Sequence, residues 1–381
     1  MVYLRKINTY NLVNLRRIPM MDENDIYESI EAIKEELDKL NQTQVKIALF
    51  GQPGSGKSSL INALIGEEVA NVSQETDTTI TEDPYKWEDL ILTDLPGYGT
   101  KNFPAESFFE KFNVLSYDIF ICVFSGKFRQ EDTEFFRRLQ QEGKKCLFVR
   151  NSVDSMFEKG KTTEQLKEDV LNDVKKQVGT EVKVYFTSCR TEEGLDDLTK
   201  AIYDNLNTVK KIKFSLDAKA YSEDFLETKK KACYKYIYLG STLAAANGVN
   251  PIPLVDISVD LSILTGVFDR IRKSFGLSQQ IIEENKPLYN ERLLTIANKI
   301  LKYTTKTAIT KLLEKIAKDQ LEKQAIKTTL KQIGKRIPLI GQGVSATTSF
   351  VVTFAASKSY CNDCAEIATA ILKDKLYTGT N

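Results

Sequence analysis

Apolar residues recur three or four positions apart at Ile26, Ile30, Ile33 and Leu37, which predicts an acidic amphipathic helix over Asp22–Leu40. The pattern then alternates. Near-continuous apolar runs at Val45–Phe50, Leu90–Leu95, Asp118–Ser125, Lys145–Arg150 and Val182–Thr187 predict strands. Helix-like runs at Ser58–Ile65, Asp132–Gln141, Thr163–Val178 and Glu193–Leu206 separate them. Strands that are apolar along their whole length are covered on both faces. The class is therefore α/β, with a doubly wound, mostly parallel sheet.

From about residue 207 the pattern becomes helical only. Ala232–Leu239 and Leu254–Val267 are apolar and flank a turn at Gly248–Pro253. Ile252-Pro253-Leu254 and Ile337-Pro338-Leu339 each open an apolar helix, a weak sign of an internal repeat. Between them, Lys299–Arg336 carries lysines at helical spacing (Lys302, Lys306, Lys311, Lys315, Lys318, Lys323, Lys327, Lys331). Such a face suits bulk water or an anionic membrane surface. Leu339–Ala356 is interrupted by Gln342, Ser345, Thr347, Thr348, Ser349 and Thr353, so a buried helix is expected rather than a membrane span. The boundaries expected are 1–43 for an N-terminal helical segment, 44–206 for the α/β domain and 207–381 for a C-terminal helical domain.

Charge sharpens this division. The 381 residues carry a formal net charge of only +1. Residues 1–204 hold 26 Lys+Arg against 36 Asp+Glu, whereas residues 205–381 hold 27 against 16. A basic second half points to an anionic partner surface or to the acidic first half; no nucleic-acid partner is expected. Histidine is absent, which removes imidazole acid–base chemistry and His-based triads. The lone CxxC, Cys361 and Cys364, lacks the further ligands of a zinc site and reads as two small residues on one helix face. Cys122 and Cys146 lie in apolar strands, as reduced packing residues of a cytoplasmic protein do. The first twenty residues have no long apolar core, so no secretory signal is expected.

The chemistry is concentrated after the first strand. Gly51, four residues, then Gly56, Lys57 and Ser58 complete a Walker A phosphate loop that runs into the helix Ser59–Ile65. Polyphosphate needs many converging donors. Glycines at 51, 54 and 56 let the amides of this loop, Ser55 included, curl around it, while the helix starting at Ser58 and Ser59 aims its positive end there. Lys57 reaches the outer phosphates, and the Ser58 hydroxyl suits Mg²⁺. Asp94-Leu95-Pro96-Gly97 closes the next strand as a DxxG signal: Asp94 holds Mg²⁺ directly or through water, and the Gly97 amide senses the γ-phosphate. In the intervening loop Thr79, or in second place Thr78, supplies a further hydroxyl to the metal. After the strand ending at Arg150, Asn151 braces a loop in which the Asp154 carboxylate accepts two N–H donors, which guanine offers and adenine does not. Thr187-Ser188-Cys189-Arg190 is placed to offer amides, notably those of Ser188 and Cys189, to the base oxygen.

These motifs resemble those of the translation-factor-like GTPases, and the wording around them resembles one family, the immunity-related (interferon-inducible) GTPases. The carrying residues are Asp94–Pro104, Tyr117-Asp118-Ile119-Phe120 and Phe148–Ser155, with Pro84-Tyr85 and Asn250-Pro251-Ile252-Pro253 in support. The resemblance implies a G domain beside an all-α domain formed from the N- and C-terminal segments. It also implies GTP hydrolysis to GDP with Mg²⁺, GTP-dependent self-association across the G domain, and action at intracellular membranes in cell-autonomous defence. It aligns Asp77 with an acid near the γ-phosphate. Two positions depart: Ser152 replaces the usual lysine of the base-reading motif, and Tyr98 stands where many GTPases keep a water-orienting glutamine. The alternatives are a guanine-nucleotide scaffold that barely hydrolyses and a dynamin-like membrane-remodelling GTPase.

Overall fold

Strand β1 (Val45–Phe50) is buried at every position but Lys46, because helices cover both its faces. The structure, a computed structural model, describes residues 23–70, 84–246, 250–251, 258–322 and 344–378. Its contacts divide the chain into two compact units. One is built from residues 41–232 with short pieces at 274–277 and from 368 on; the other from residues up to 40, 233–273 and 278–367.

The first unit holds a six-stranded sheet. β2 (Pro84–Trp87), β3 (Leu90–Asp94), β4 (Ile119–Phe124), β5 (Lys145–Arg150) and β6 (Val184–Phe186) join β1 in the order β2-β3-β1-β4-β5-β6. All neighbours are parallel except the edge pair β2–β3. The antiparallel β2 was not predicted from sequence: Pro84 and Lys86 face out, and only pairing with β3 makes the segment a strand. Otherwise the strands fall where the apolar runs lie, shortened at their ends. Asp118, for example, precedes β4 and uses its carboxylate to accept the Lys46 amide at 2.9 Å.

Alternate side chains of β1 enter two cores. Val45, Ile47 and Leu49 pack with Leu60, Ile61 and Leu64 of α2 (Lys57–Ile65) and with Leu198 and Ile202 of α6 (Leu195–Asn205). Ala48 and Phe50 turn to the opposite face, against α3 (Ala105–Lys111), α4 (Gln130–Gln141) and α5 (Thr163–Val178). That second layer is rich in phenylalanine. Phe135 of α4 meets Phe50, Phe108 and Phe120 edge-on, at centroid distances of 4.7, 5.3 and 6.1 Å. Burying one such ring is worth about 1.5–3 kcal/mol. Successive strands lie on opposite sides of β1, so β1 is the switch point of the sheet, where α/β folds keep their ligand crevice. α7 (Thr208–Asp217) closes the other end of β3, through the Asp217 carboxylate on the Asp89 amide and the buried Lys213 paired with Asp89.

The second unit is helical. α1 (Glu23–Gln42) buries Leu37 and Leu40 and pairs Glu36 with Lys235 of α8 (Glu223–Ala246) at 2.7 Å. α9 (Leu261–Ser274) stacks Phe268 on Tyr360 of α13 (Val344–Thr378), with centroids 4.4 Å apart. Between them run α10 (Gln279–Glu284), α11 (Glu291–Lys302) and α12 (Lys306–Glu322). The basic stretch is thus not continuous: α11 ends at Lys302 and a new helix starts at Lys306. The helical-only expectation is also modified by a short antiparallel ladder, Asn250–Pro251 with Ser258–Val259. The proposed Ile-Pro-Leu repeat falls outside the described residues. Cys361 and Cys364 are buried on α13, and the hydroxyl of buried Thr353 donates to the Ser349 carbonyl of its own helix. No helix among the described residues is long and apolar enough to cross a membrane.

Candidate functional site

The loop between β1 and α2 stands at the switch point. Gly51 has φ +132°, and a Cβ on it would lie 2.0 Å from the Val123 carbonyl oxygen of β4. Gly56, at φ +88°, caps α2, and a Cβ there would lie 2.2 Å from the Asn151 amide nitrogen. These two glycines are required by close approach, beyond the positive φ alone. Ser55 is buried, with its amide bonded to the Gln52 carbonyl at 3.2 Å. Ser58 and Ser59 form the first turn of α2.

Lys57 folds back over this loop. Its Nζ donates to the carbonyls of Gly51 at 3.0 Å and Gln52 at 3.1 Å and stands 3.7 Å from Asp94 Oδ1. Asp94 ends β3, where the Leu95 amide bonds the Leu49 carbonyl and sets the carboxylate beside α2. Its Oδ2 lies 3.5 Å from the Ser58 hydroxyl, whereas its buried Oδ1 has no hydrogen-bond partner among the described residues. Burial pushes the Asp94 carboxyl above the usual range, opposed by Lys57 and Ser58. A carboxylate oxygen whose one neighbouring charge among the described residues is Lys57 and a hydroxyl beside a phosphate loop are hard oxygen donors that fit Mg²⁺, which takes few protein ligands and completes its shell with phosphate and water.

Downstream, the Gly97 carbonyl accepts the Thr100 hydroxyl at 3.1 Å, and that oxygen accepts the Phe103 amide at 3.2 Å. The Tyr98 ring packs on Phe108 and Phe135, with centroids 5.2 and 4.9 Å apart. Thr78, Thr79 and Asp77 lie outside the described residues.

Asn151 binds the two halves of the site together. Its Nδ2 donates to the Ser55 carbonyl at 3.2 Å; its Oδ1 accepts the Thr187 hydroxyl at 3.1 Å and the Cys189 thiol at 3.6 Å. Ser152 then takes left-handed backbone (φ +58°) and starts the short turn Val153–Ser155. Asp154 Oδ2 accepts a hydrogen bond from Arg190 Nε at 2.8 Å, and Nη2 of the same guanidinium stands 2.6 Å away in an ion pair. The Ser188 hydroxyl, followed by Arg190, holds the Asp154 carboxyl below the usual range. The Ser188 amide, expected to face the base, donates instead to the Glu193 carbonyl at 3.0 Å. Sequence alone placed Arg190 in a segment offering backbone amides to the base; the contact of its side chain with Asp154 was not expected.

Gln52 and Asp132 were also missed. Gln52 donates to the Lys127 carbonyl at 2.9 Å, and the buried Oδ2 of Asp132 has no hydrogen-bond partner among the described residues. Burial pushes this carboxyl up. A raised folded-state pKa means that the ionised form destabilises the fold at neutral pH, and that the penalty fades as pH falls through that pKa. Asp132→Asn is therefore expected to raise the thermal midpoint at neutral pH, with a gain that shrinks toward about pH 4. A gain of equal size at both pH values would contradict burial as its cause.

A sequence profile described as Interferon-inducible GTPase (IIGP) matches residues 13–375. Interferon-inducible GTPase 1 of Mus musculus is 27% identical over 301 residues, which cover 73% of this chain and 72% of that protein. T-cell-specific guanine nucleotide triphosphate-binding protein 2 of Mus musculus is 26% identical over 283 residues, covering 69% and 68%. Among solved structures, an Era variant of Aquifex aeolicus bound to GDP.AlF4- aligns with a TM-score of 0.35 and 20% identity, over 44% of this chain and 58% of that one.

Proposed function

The chain belongs to the interferon-inducible GTPase family and is a GTP-binding hydrolase, and we propose that its triphosphate state drives self-association across the G domain. In this reading residues 44–206 handle the nucleotide, and segments 1–43 and 207–381 form the helical part. The amides of residues 51–56 and the Lys57 ammonium hold the β- and γ-phosphates, while the first turn of α2, with Ser58 and Ser59, adds its dipole. Ser58, Asp94 and Thr79 (or Thr78) hold Mg²⁺, which when bound supplies positive charge against the phosphate oxygens. Gly97 offers its amide to the γ-phosphate, and the family resemblance makes Asp77 a candidate for an acid that acts on it. Asp154 reads the guanine edge; the loop of Ser188 and Cys189 lies beside the base.

The observation that carries this reading is the Asn151 bridge. One side-chain amide joins the phosphate loop through Ser55 to the base-side loop through Thr187 and Cys189, which supports reading the two loops as one nucleotide frame.

Water attacks the γ-phosphate, and Lys57 with the loop amides meets the charge that develops. Tyr98 is tied into the aromatic layer, which supports slow turnover by one molecule alone and completion of the site by a second copy. Turnover per molecule is expected to rise with protein concentration. A flat specific activity over a wide range would remove the self-activation claim, and GTP left intact for hours even at high concentration would favour the scaffold reading.

Attachment to intracellular membranes, with a role in cell-autonomous defence, draws support from the family and from the exposed lysines 302, 306, 311, 315 and 318 of α11 and α12. GTP-dependent flotation with anionic vesicles tests the membrane part, and its absence would count against it.

A further inference from the structure

The base-reading motif has a gap. Ser152 gives it no cation, and its loop keeps its shape through left-handed backbone at Ser152 and the Ser155 hydroxyl on the Ser152 carbonyl at 2.8 Å. A cation does reach the motif, from the loop after β6. Arg190 donates from Nε to Oδ2 of Asp154 at 2.8 Å, with Nη2 2.6 Å from the same oxygen in an ion pair.

We infer that Arg190 is a specificity-determining residue of the guanine site, supplying in space the positive charge that the motif lacks at Ser152. This rests on the guanine reading given above and deepens it.

The geometry supports the assignment in three ways. An ionised carboxylate has about four acceptor positions on its two oxygens. The Nε hydrogen bond on Oδ2 fixes the rotation of Asp154 and leaves Oδ1 and the second position of Oδ2 for the two N–H donors of guanine. Next, the Arg190 side chain is 75% exposed, so its planar head has room to lie against a purine face, where a guanidinium stacks well. Finally, Arg190 directly follows Cys189, whose thiol already engages the motif by donating to Asn151 Oδ1 at 3.6 Å. The loop thus brings two consecutive side chains, Cys189 and Arg190, to one recognition element. A purely structural pair is the competing explanation, but an ion pair this exposed adds little to stability.

The test compares GDP with inosine diphosphate, which lacks the exocyclic amine, by equilibrium titration with Mg²⁺. Arg190→Ala is expected to weaken GDP about tenfold and to reduce the preference for GDP over inosine diphosphate several-fold, while the thermal midpoint stays near that of the wild type. Arg190→Lys retains part of the preference. Ser152→Lys added to Arg190→Ala restores GDP affinity to within about threefold, since it returns the charge from the motif itself. If the wild type binds GDP but Arg190→Ala keeps its affinity and preference within twofold, the inference fails and the guanine site stands. Failure of Ser152→Lys to restore a folded Arg190→Ala protein also overturns it. A wild type that ignores GDP overturns the underlying reading and this inference with it.

Discussion

Lys57→Ala is expected to lower GTP turnover by about a hundred- to a thousandfold, the effect of removing one preorganised charge from a phosphoryl-transfer site. Lys57 spans the Gly51 and Gln52 carbonyls and faces Asp94, so it is fixed before any phosphate arrives. Its loss also acts through Asp94. Burial already pushes that carboxyl up, and Lys57 is the main opposing influence. Without it Asp94 loses its ion-pair partner and is no longer held against the phosphate loop, where its carboxylate suits Mg²⁺. Nucleotide affinity and its Mg²⁺ dependence are therefore expected to fall together. Lys57→Arg should not rescue, because a planar guanidinium cannot replace a compact ammonium between two carbonyls. Single-turnover hydrolysis with thermal melting checks both variants; near-normal turnover in a folded Lys57→Ala protein would contradict the assigned role.

Gly51→Ala should be the most damaging small substitution in the phosphate loop, at about 3 kcal/mol or more. Its methyl group would sit 2.0 Å from the Val123 carbonyl oxygen, and Val123 is held opposite Val149 in the β4–β5 ladder, so it has little freedom to retreat. Gly54→Ala is the control. Gly54 also has positive φ, at +73°, but no atom lies within 4 Å of the Cβ position. Only the backbone conformation is strained there, for about 1–2 kcal/mol. Trp87, the sole tryptophan, sits in β2 of the same unit and reports its unfolding in denaturant. Equal losses for the two variants would show that backbone strain, not close approach, governs Gly51.

The parts that could be read from sequence were local or repetitive. β1, β3, β4 and β5 were legible because strands covered on both faces are apolar throughout. The phosphate loop was legible because its ligands are contiguous: a strand end, three glycines and a lysine need no distant partner to be recognised. What was missed depends on contacts across the fold. β2 is a strand only through β3, and the seven-residue α3 is too short for a periodic signal. The bond from Asn151 to Ser55 joins residues 96 positions apart, that from Arg190 to Asp154 residues 36 apart. Spacing could suggest that Asn151 braces something, but not what it braces. The Ser188 amide was expected at the base; a turn through Glu192, at φ +61°, gives it the Glu193 carbonyl instead. The continuous basic stretch was divided by a helix break at residues 303–305 that the lysine periodicity does not mark.

Calorimetric titration of the purified chain with GDP and with ADP, magnesium present, tests the central claim most directly. Saturable binding of GDP at one site per chain, with ADP weaker by at least two orders of magnitude, is the expected result. Absence of GDP binding by folded protein, or equal affinity for the two nucleotides, would contradict it.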